Sequence, residues 1–301
     1  MPSHFEKTII SNGYRKMSDS NVSFCSIVRD CQSNLNRNIP KIEKLRKYFA
    51  ESEIIIYEND SKDNTKEIIS NWKHKSKNVT FVSETYNNNT IPVENKNENP
   101  YFSMYRIEKM VYYRNKYLEI LNSNKFERDY VIIIDLDIAN FDINGIAHSF
   151  GLTDQWDVVC ANGYARSPLL MKRYYDSYAL VEYGRENVNQ TEMSIRQNQS
   201  KWSFMKPGLP LIPVFAAYGG FAIYRYEAIK NKKYSAVRNN DIRVGAKCDH
   251  YSLCKEIRSA GFEKIFINPN MTLHYNKISY SIIKRYISNR FKDIKSKYLI
   301  K

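Results

Sequence analysis

Four short apolar runs that alternate with stretches of helical spacing constrain this chain more than any other feature. VSFCSIV (22–28), SEIIIYEND (52–60), NVTFVSE (78–84) and YVIII (130–134) are rich in β-branched and aromatic residues, which predicts strands. Between them, PKIEKLRKYFA (40–50) places Pro40 at a helix start and Ile42, Leu45 and Phe49 on one face. SKDNTKEIISNW predicts a second helix, with Ser61 or Asp63 as its cap, and residues 103–123 predict a long third one. Strands joined through helices need crossover connections, so the expected class is α/β, a sheet with helices on its faces.

Further along, WDVVCANGY (156–164) and EKIFINPNMTLHY (263–275) read as strands, the second with a proline break. VFAAYGGFAIYRYEAI (214–229) reads as strand, tight Gly-Gly turn, then strand or helix. Residues 248–262 read as a helix ended by Gly261. The first 20 residues are expected to be a polar arm, and TYNNNTIPVENKNENP (85–100) a mobile polar loop. No repeat or linker divides the 301 residues, which predicts one domain over 21–275.

The net charge of +14 favours anionic ligands or surfaces, but no zinc-finger spacing or basic-aromatic groove appears, so no nucleic-acid partner is expected. Five cysteines without a CxxC pair suggest neither a disulfide framework nor a zinc site. With no signal-peptide stretch at the start, the expected location is cytoplasmic, peripheral at a membrane surface if the C-terminal segment contributes.

The chemistry is concentrated in YVIIIDLDIAN (130–140). Side chains alternate along an extended chain, so Asp135 and Asp137 are expected on one side. Two like charges that close repel unless a cation or a shared proton sits between them. In open α/β sheets ligands bind at the carboxyl ends of strands, and three such ends carry polar residues here: Arg29–Asp30, the loop containing Asp60 and Asp63, and Asp135–Asp137. Hard divalent cations take carboxylate oxygens and keep positions for water and phosphate. A solvated pair is the bland alternative. A haloacid-dehalogenase-like phosphatase is another, weakened by Ala139 two residues after Asp137 and by the strands that precede the pair. No P-loop is present.

IIIYENDSKDNT and VIIIDLD, followed by RIEKMVYYRNKYLE, WDVVCANGY, PVFAAYGGFAIY and CDHYSLCKEIRSAGFEKIFINPN, resemble in order the blocks of the cryptococcal-capsule α-1,3-mannosyltransferase family. The resemblance spans most of residues 22–275 and implies a GT-A fold, a Rossmann-like mixed sheet that binds a nucleotide sugar. It implies Mn²⁺ or Mg²⁺ held by Asp135, Asp137 and His274, with Asp137 the main ligand. Arg29, Asp30, Asp60, Asp63, Arg106, Arg114 and Asp135 would hold the donor. Arg106 and Arg114 lie about 80° apart on an ideal helix, so one of the two is expected to reach its phosphates.

Asp249 would act beside the acceptor hydroxyl, as general base in an inverting enzyme or as an orienting group in a retaining one. His250, Gly219 and Gly220 would lie on the acceptor side. The implied reaction is hexosyl transfer, with mannose and retention favoured, from GDP-mannose or else a UDP-sugar to a glycan or glycoprotein hydroxyl. A non-catalytic nucleotide-sugar-binding protein is the rival class. Residues 276–301 carry eight Lys or Arg against Asp293, with Ile283, Ile287, Phe291, Ile294 and Tyr298 at helical spacing. This amphipathic segment is expected to contact an anionic membrane or to pack on the catalytic domain.

Overall fold

The computed structural model describes residues 3–92 and 97–276, with the single positions 283, 284, 287 and 288. The chain runs α1 (His4–Ser18), β1 (Asn21–Val28), α2 (Gln32–Arg46), β2 (Glu51–Asn59), α3 (Thr65–Lys75), β3 (Val79–Glu84), α4 (Met104–Ser123) and β4 (Tyr130–Ile134). It continues with β5 (Asn140–Phe141), α5 (Ile143–Phe150), β6 (Val158–Arg166), β7 (Lys172–Tyr175), α6 (Glu192–Lys201) and β8 (Ile212–Pro213). The last elements are β9 (Phe221–Arg225), α7 (Tyr226–Ile229), α8 (Asp249–Ser259) and β10 (Ile265–His274).

All the strands join one mixed sheet in the order β3-β2-β1-β4-β9-β6-β10-β5, with β7 on β6 and β8 on β10. Strands β1 to β4 are parallel to one another, as the alternation with helices predicts. β9 is antiparallel and sits between β4 and β6, so its first residue, Phe221, pairs with the last of β4, Ile134. Every residue of β4 is buried. Val131 and Ile133 face one core with Tyr117, Leu121 and Ile257; Tyr130, Ile132 and Ile134 face the other with Phe49, Phe150 and Trp156. Burial on both faces explains why the strand reads as an unbroken apolar run.

Three elements depart from expectation. The polar arm is a helix, α1, opened by a capping box between Ser3 and Glu6. It lies hard against α5 at two glycines: a Cβ on Gly13 would fall 1.7 Å from the Ala147 carbonyl oxygen, and one on Gly151 2.1 Å from that of Ile9. Helix α2 starts at Gln32 rather than at Pro40, which lies inside it. Its first half is polar because it binds backbone of the acidic loop, as described below. Residues 214–218 form no strand beyond the isolated bridge Val181–Ala216. The proline break in β10 is a register shift between Asn268 and Thr272.

Loop residues 85–92 are fastened, not loose: Asp60 accepts from the amides of Tyr86 and Asn87, and Arg29 donates to the Asn88 carbonyl. Among the described residues no helix is long and apolar enough to cross a membrane. The expected C-terminal amphipathic segment lies outside the described residues apart from the four single positions.

Candidate active site

The acidic loop begins where β4 stops. Its strand pairing ends at Ile134, and the amide of Asp135 donates to the Gly220 carbonyl at 3.0 Å, at the mouth of β9. The chain then turns instead of staying extended, and the turn buries Leu136 while both Asp135 and Asp137 line one cavity. Expectation and structure agree on the outcome, through a different backbone path. Helix α2 holds this turn: Asn38 donates to the carbonyls of Leu136 (2.9 Å) and Ile138 (2.8 Å), Asn34 to that of Asp137 (2.7 Å), and Arg37 to that of Ile138 (2.7 Å).

The cavity holds about 490 Å³. Asp135 accepts from the Tyr218 hydroxyl at 2.9 Å, and Asp137 from that of Tyr275 at 3.2 Å. Burial pushes the Asp135 carboxyl up to about 7; Arg114 opposes this and the Asp137 charge reinforces it. Burial also raises Asp137, against the Tyr275 hydroxyl. Two half-buried carboxyls in one wall fit a hard dication, whose charge would offset their cost of ionising. Among the described residues no three His, Cys, Asp or Glu side chains gather to hold a metal on their own. Such an ion would therefore need oxygens from water or a ligand as well.

Arg114, on α4, is buried beneath this pair. Its Nε lies 2.5 Å from Asp249 and its Nη2 3.8 Å from Asp135. Burial opposes ionisation of Asp249, but Arg114 and, behind it, His250 hold its carboxyl far below the usual range. The carboxylate of Asp249 is thus already engaged by the Arg114 guanidinium. His250 stacks on Tyr218, centroids 3.7 Å apart, and lines the cavity. Burial, then the Arg114 charge, push its imidazole down to about 3, so it is neutral at physiological pH. Neither of its ring nitrogens has a hydrogen-bond partner among the described residues. Unpaired buried polar atoms are costly, which marks His250 as a group open to a ligand.

Of the other expected residues, Arg29, Arg106 and Arg114 all line the cavity. Both arginines of α4 reach it, because the long side chains span the angle between them. Asp30, Asp60 and Asp63 are not in its wall. Asp30 accepts from the Lys62 amide (2.7 Å), and Asp63 from the amides of Gln32 and Thr65 (3.0 Å each). These carboxylates tie loops together.

His274 is not in the wall either. It stacks on Tyr164, with centroids 4.8 Å apart and planes within 8°. Its neighbour Tyr275 faces the cavity, and alternation sends adjacent side chains to opposite faces. Gly219 and Gly220 take φ of +71° and +82°, which glycine tolerates. A Cβ on Gly219 would strike the Ala161 carbonyl at 2.3 Å, and one on Gly220 would crowd Leu273 at 3.2 Å. Their close approach is to the sheet, not to the cavity.

Tyr218, Tyr275 and Asp176 are wall residues that sequence reasoning missed. Alternation from His274 was a usable signal for Tyr275. Asp176 follows β7, accepts from the Tyr178 amide at 3.0 Å, and has its carboxyl raised by burial against that bond. Nothing in YYDSY distinguishes it by pattern.

The fold is similar to the mannosyltransferase PcManGT from Pyrobaculum calidifontis, solved in complex with GDP-Man and Mn²⁺: identity 10%, 91% of this chain and 65% of that one, TM-score 0.49. It is similar also to S. aureus TarS 1-349 in complex with UDP-GlcNAc, at 11% identity, 88% of this chain and 60% of that one, TM-score 0.43. The chain thus spans less than two thirds of the length of either. No curated protein matches the sequence. The family described as "Cryptococcal mannosyltransferase 1" matches residues 21–257, which take in the acidic loop, α4, β9 and most of α8. The chain belongs to this family of glycosyltransferases, and its architecture is a mixed α/β sheet flanked by helices.

Proposed function

We propose that the protein transfers a hexosyl unit, mannose before others, from a nucleotide-diphosphate sugar to a hydroxyl of a glycan or glycoprotein. The observation that carries this is the half-buried pair Asp135 and Asp137 in one cavity wall, with the buried Arg114 beside it. Asp135 and Asp137 would hold Mn²⁺ or Mg²⁺. When bound, that ion supplies charge neutralisation as the diphosphate departs. Tyr218 and Tyr275 fix the two carboxyls, and the Asp249 ion pair fixes the Arg114 guanidinium. Arg29 and Arg106 add positive charge to the same wall, a setting that favours a diphosphate.

Asp176 and the neutral imidazole of His250 are polar groups of the wall suited to orient hydroxyls of donor sugar or acceptor. Asp249 is engaged by Arg114, and family membership favours the retaining course. Family membership favours GDP-mannose as donor, with UDP-sugars the second choice.

The test is incubation of the full chain with GDP-mannose or UDP-sugars, with Mn²⁺, Mg²⁺ or chelator, and with or without a mannose-ended oligosaccharide. Metal-dependent release of nucleoside diphosphate, lost in Asp137→Asn, supports transfer. Donor binding without turnover under every condition would instead support the binding-protein class.

A further inference from the structure

The turn between β6 and β7 exposes three consecutive apolar side chains: Leu169 (59%), Leu170 (59%) and Met171 (51%). The turn is built, not frayed. The Leu170 amide donates to the Ser167 carbonyl at 2.8 Å, the Ser167 amide to that of Met171 at 2.9 Å, and Arg166 to that of Leu170 at 3.0 Å. Leu170 takes φ +63°, a left-handed conformation that bulky side chains rarely adopt. A fixed turn that presents a run of large apolar groups to water marks an interaction surface.

Its surroundings are basic. Exposed Arg166 and Lys206 flank Lys172, whose ammonium donates to the Met205 carbonyl at 2.8 Å. The charges of Arg166 and Lys206 both reach that ammonium. Arg173 and Arg196 share a surface hollow with the exposed Met193. Glu192, in the same hollow, already faces Arg243 at 3.4 Å. The chain also leaves from here: Asn276 bonds the Arg166 amide at 3.0 Å, and the residues that follow carry eight Lys or Arg against one Asp.

We propose that this hairpin docks on an anionic lipid surface, with Leu169, Leu170 and Met171 entering between headgroups and the basic residues pairing with them. An apolar tip inside a basic collar is the pattern that interfacial binding requires, since neither term alone holds a protein there stably. A protein partner with an apolar pocket would not call for this one-sided charge.

The test is sedimentation of the full chain with vesicles of phosphatidylcholine, alone or mixed with phosphatidylserine. Wild type is expected to bind the mixed vesicles, less as salt rises. The variant Leu169→Ser, Leu170→Asn, Met171→Ser should bind ~10-fold or more weakly at an unchanged melting temperature. Asn is chosen at 170 because it tolerates positive φ. Arg166→Gln with Lys206→Gln should weaken binding and its salt dependence. Failure of wild type to bind mixed vesicles would overturn the proposal. So would equal binding by the apolar variant, which would assign binding to residues after Asn276. Loss of self-association in place of vesicle binding would assign the surface to a second copy, and overturn it too.

Discussion

Two sets of aspartates sit at the carboxyl edge of this sheet, and their surroundings differ. Asp30, Asp60 and Asp63, beyond β1 and β2, accept backbone amides from neighbouring loops. Burial works against ionisation of Asp60 and Asp63, yet hydrogen bonds from Asn59 and Thr65 and those amides hold both below the usual range. Asp135, Asp137 and Asp176 are raised by burial instead, and Asp135 also by the charge of Asp137. The first set is already paid for by the fold, and the second keeps capacity for something else. Position at the edge does not separate them; their partners do.

The sharpest way to break this contrast is Asp137→Asn. It should cut sugar transfer by at least about 10²–10³-fold, the scale seen when a preorganised charge is lost from a reacting site, with no loss of melting temperature. Transfer at the wild-type rate would place the reacting centre elsewhere. Next in size is Asp249→Asn, which leaves Arg114 charged and buried without its anion and should cost about 3–5 kcal/mol in a denaturant titration.

That variant also sharpens the pH dependence. Asp249 has its folded pKa depressed below the ordinary 3.8, so its contribution is present above that value and lost as pH falls through the folded one. His250 acts in the same direction over a higher window. Its folded value of about 3 lies below the ordinary 6.5, so stability is greatest above 6.5 and declines as pH falls toward 3. Melting curves of Asp249→Asn should lack the part of the loss that wild type shows below pH 3.8.

Asn38→Ala comes third. It unpairs buried carbonyls of Leu136 and Ile138 and should cost about 1–3 kcal/mol while lowering turnover more than donor binding. The smallest effect is Asp63→Ala, about 1 kcal/mol of stability with the donor KM unchanged, as expected when the first amides of α2 and α3 lose their acceptor. A large rise in that KM would move Asp63 into the second set and erase the contrast.

The strands were legible because β-branched runs buried on both faces leave an unambiguous pattern, and Asp135 and Asp137 stood out by following one. Helix α1 was missed because its packed face, Ile10, Gly13, Tyr14 and Met17, is short, includes a glycine and lies in a mostly polar stretch. The first half of α2 hid for the opposite reason. Asn34, Arg37 and Asn38 look like a loop, yet they are polar because their partners are carbonyls of the acidic turn. Asp63 was expected as the cap of α3, but Asn64 holds that position, and Asp63 accepts from the first amides of α2 and α3 instead of lining the cavity. Asp176 was illegible because its place follows from β7 pairing with β6 in a region without periodicity.

One feature of the sheet limits how the proposed activity could be re-engineered. Because β9 runs against β4, the carbonyl of Gly220 that steadies Asp135 is also the first rung of the ladder leading into the other half of the molecule. Slipping β9 by a single residue would exchange its two faces and withdraw that carbonyl together. Changes of acceptor preference are therefore better sought in the surrounding loops than in the strands, where tuning one partner would detune the other.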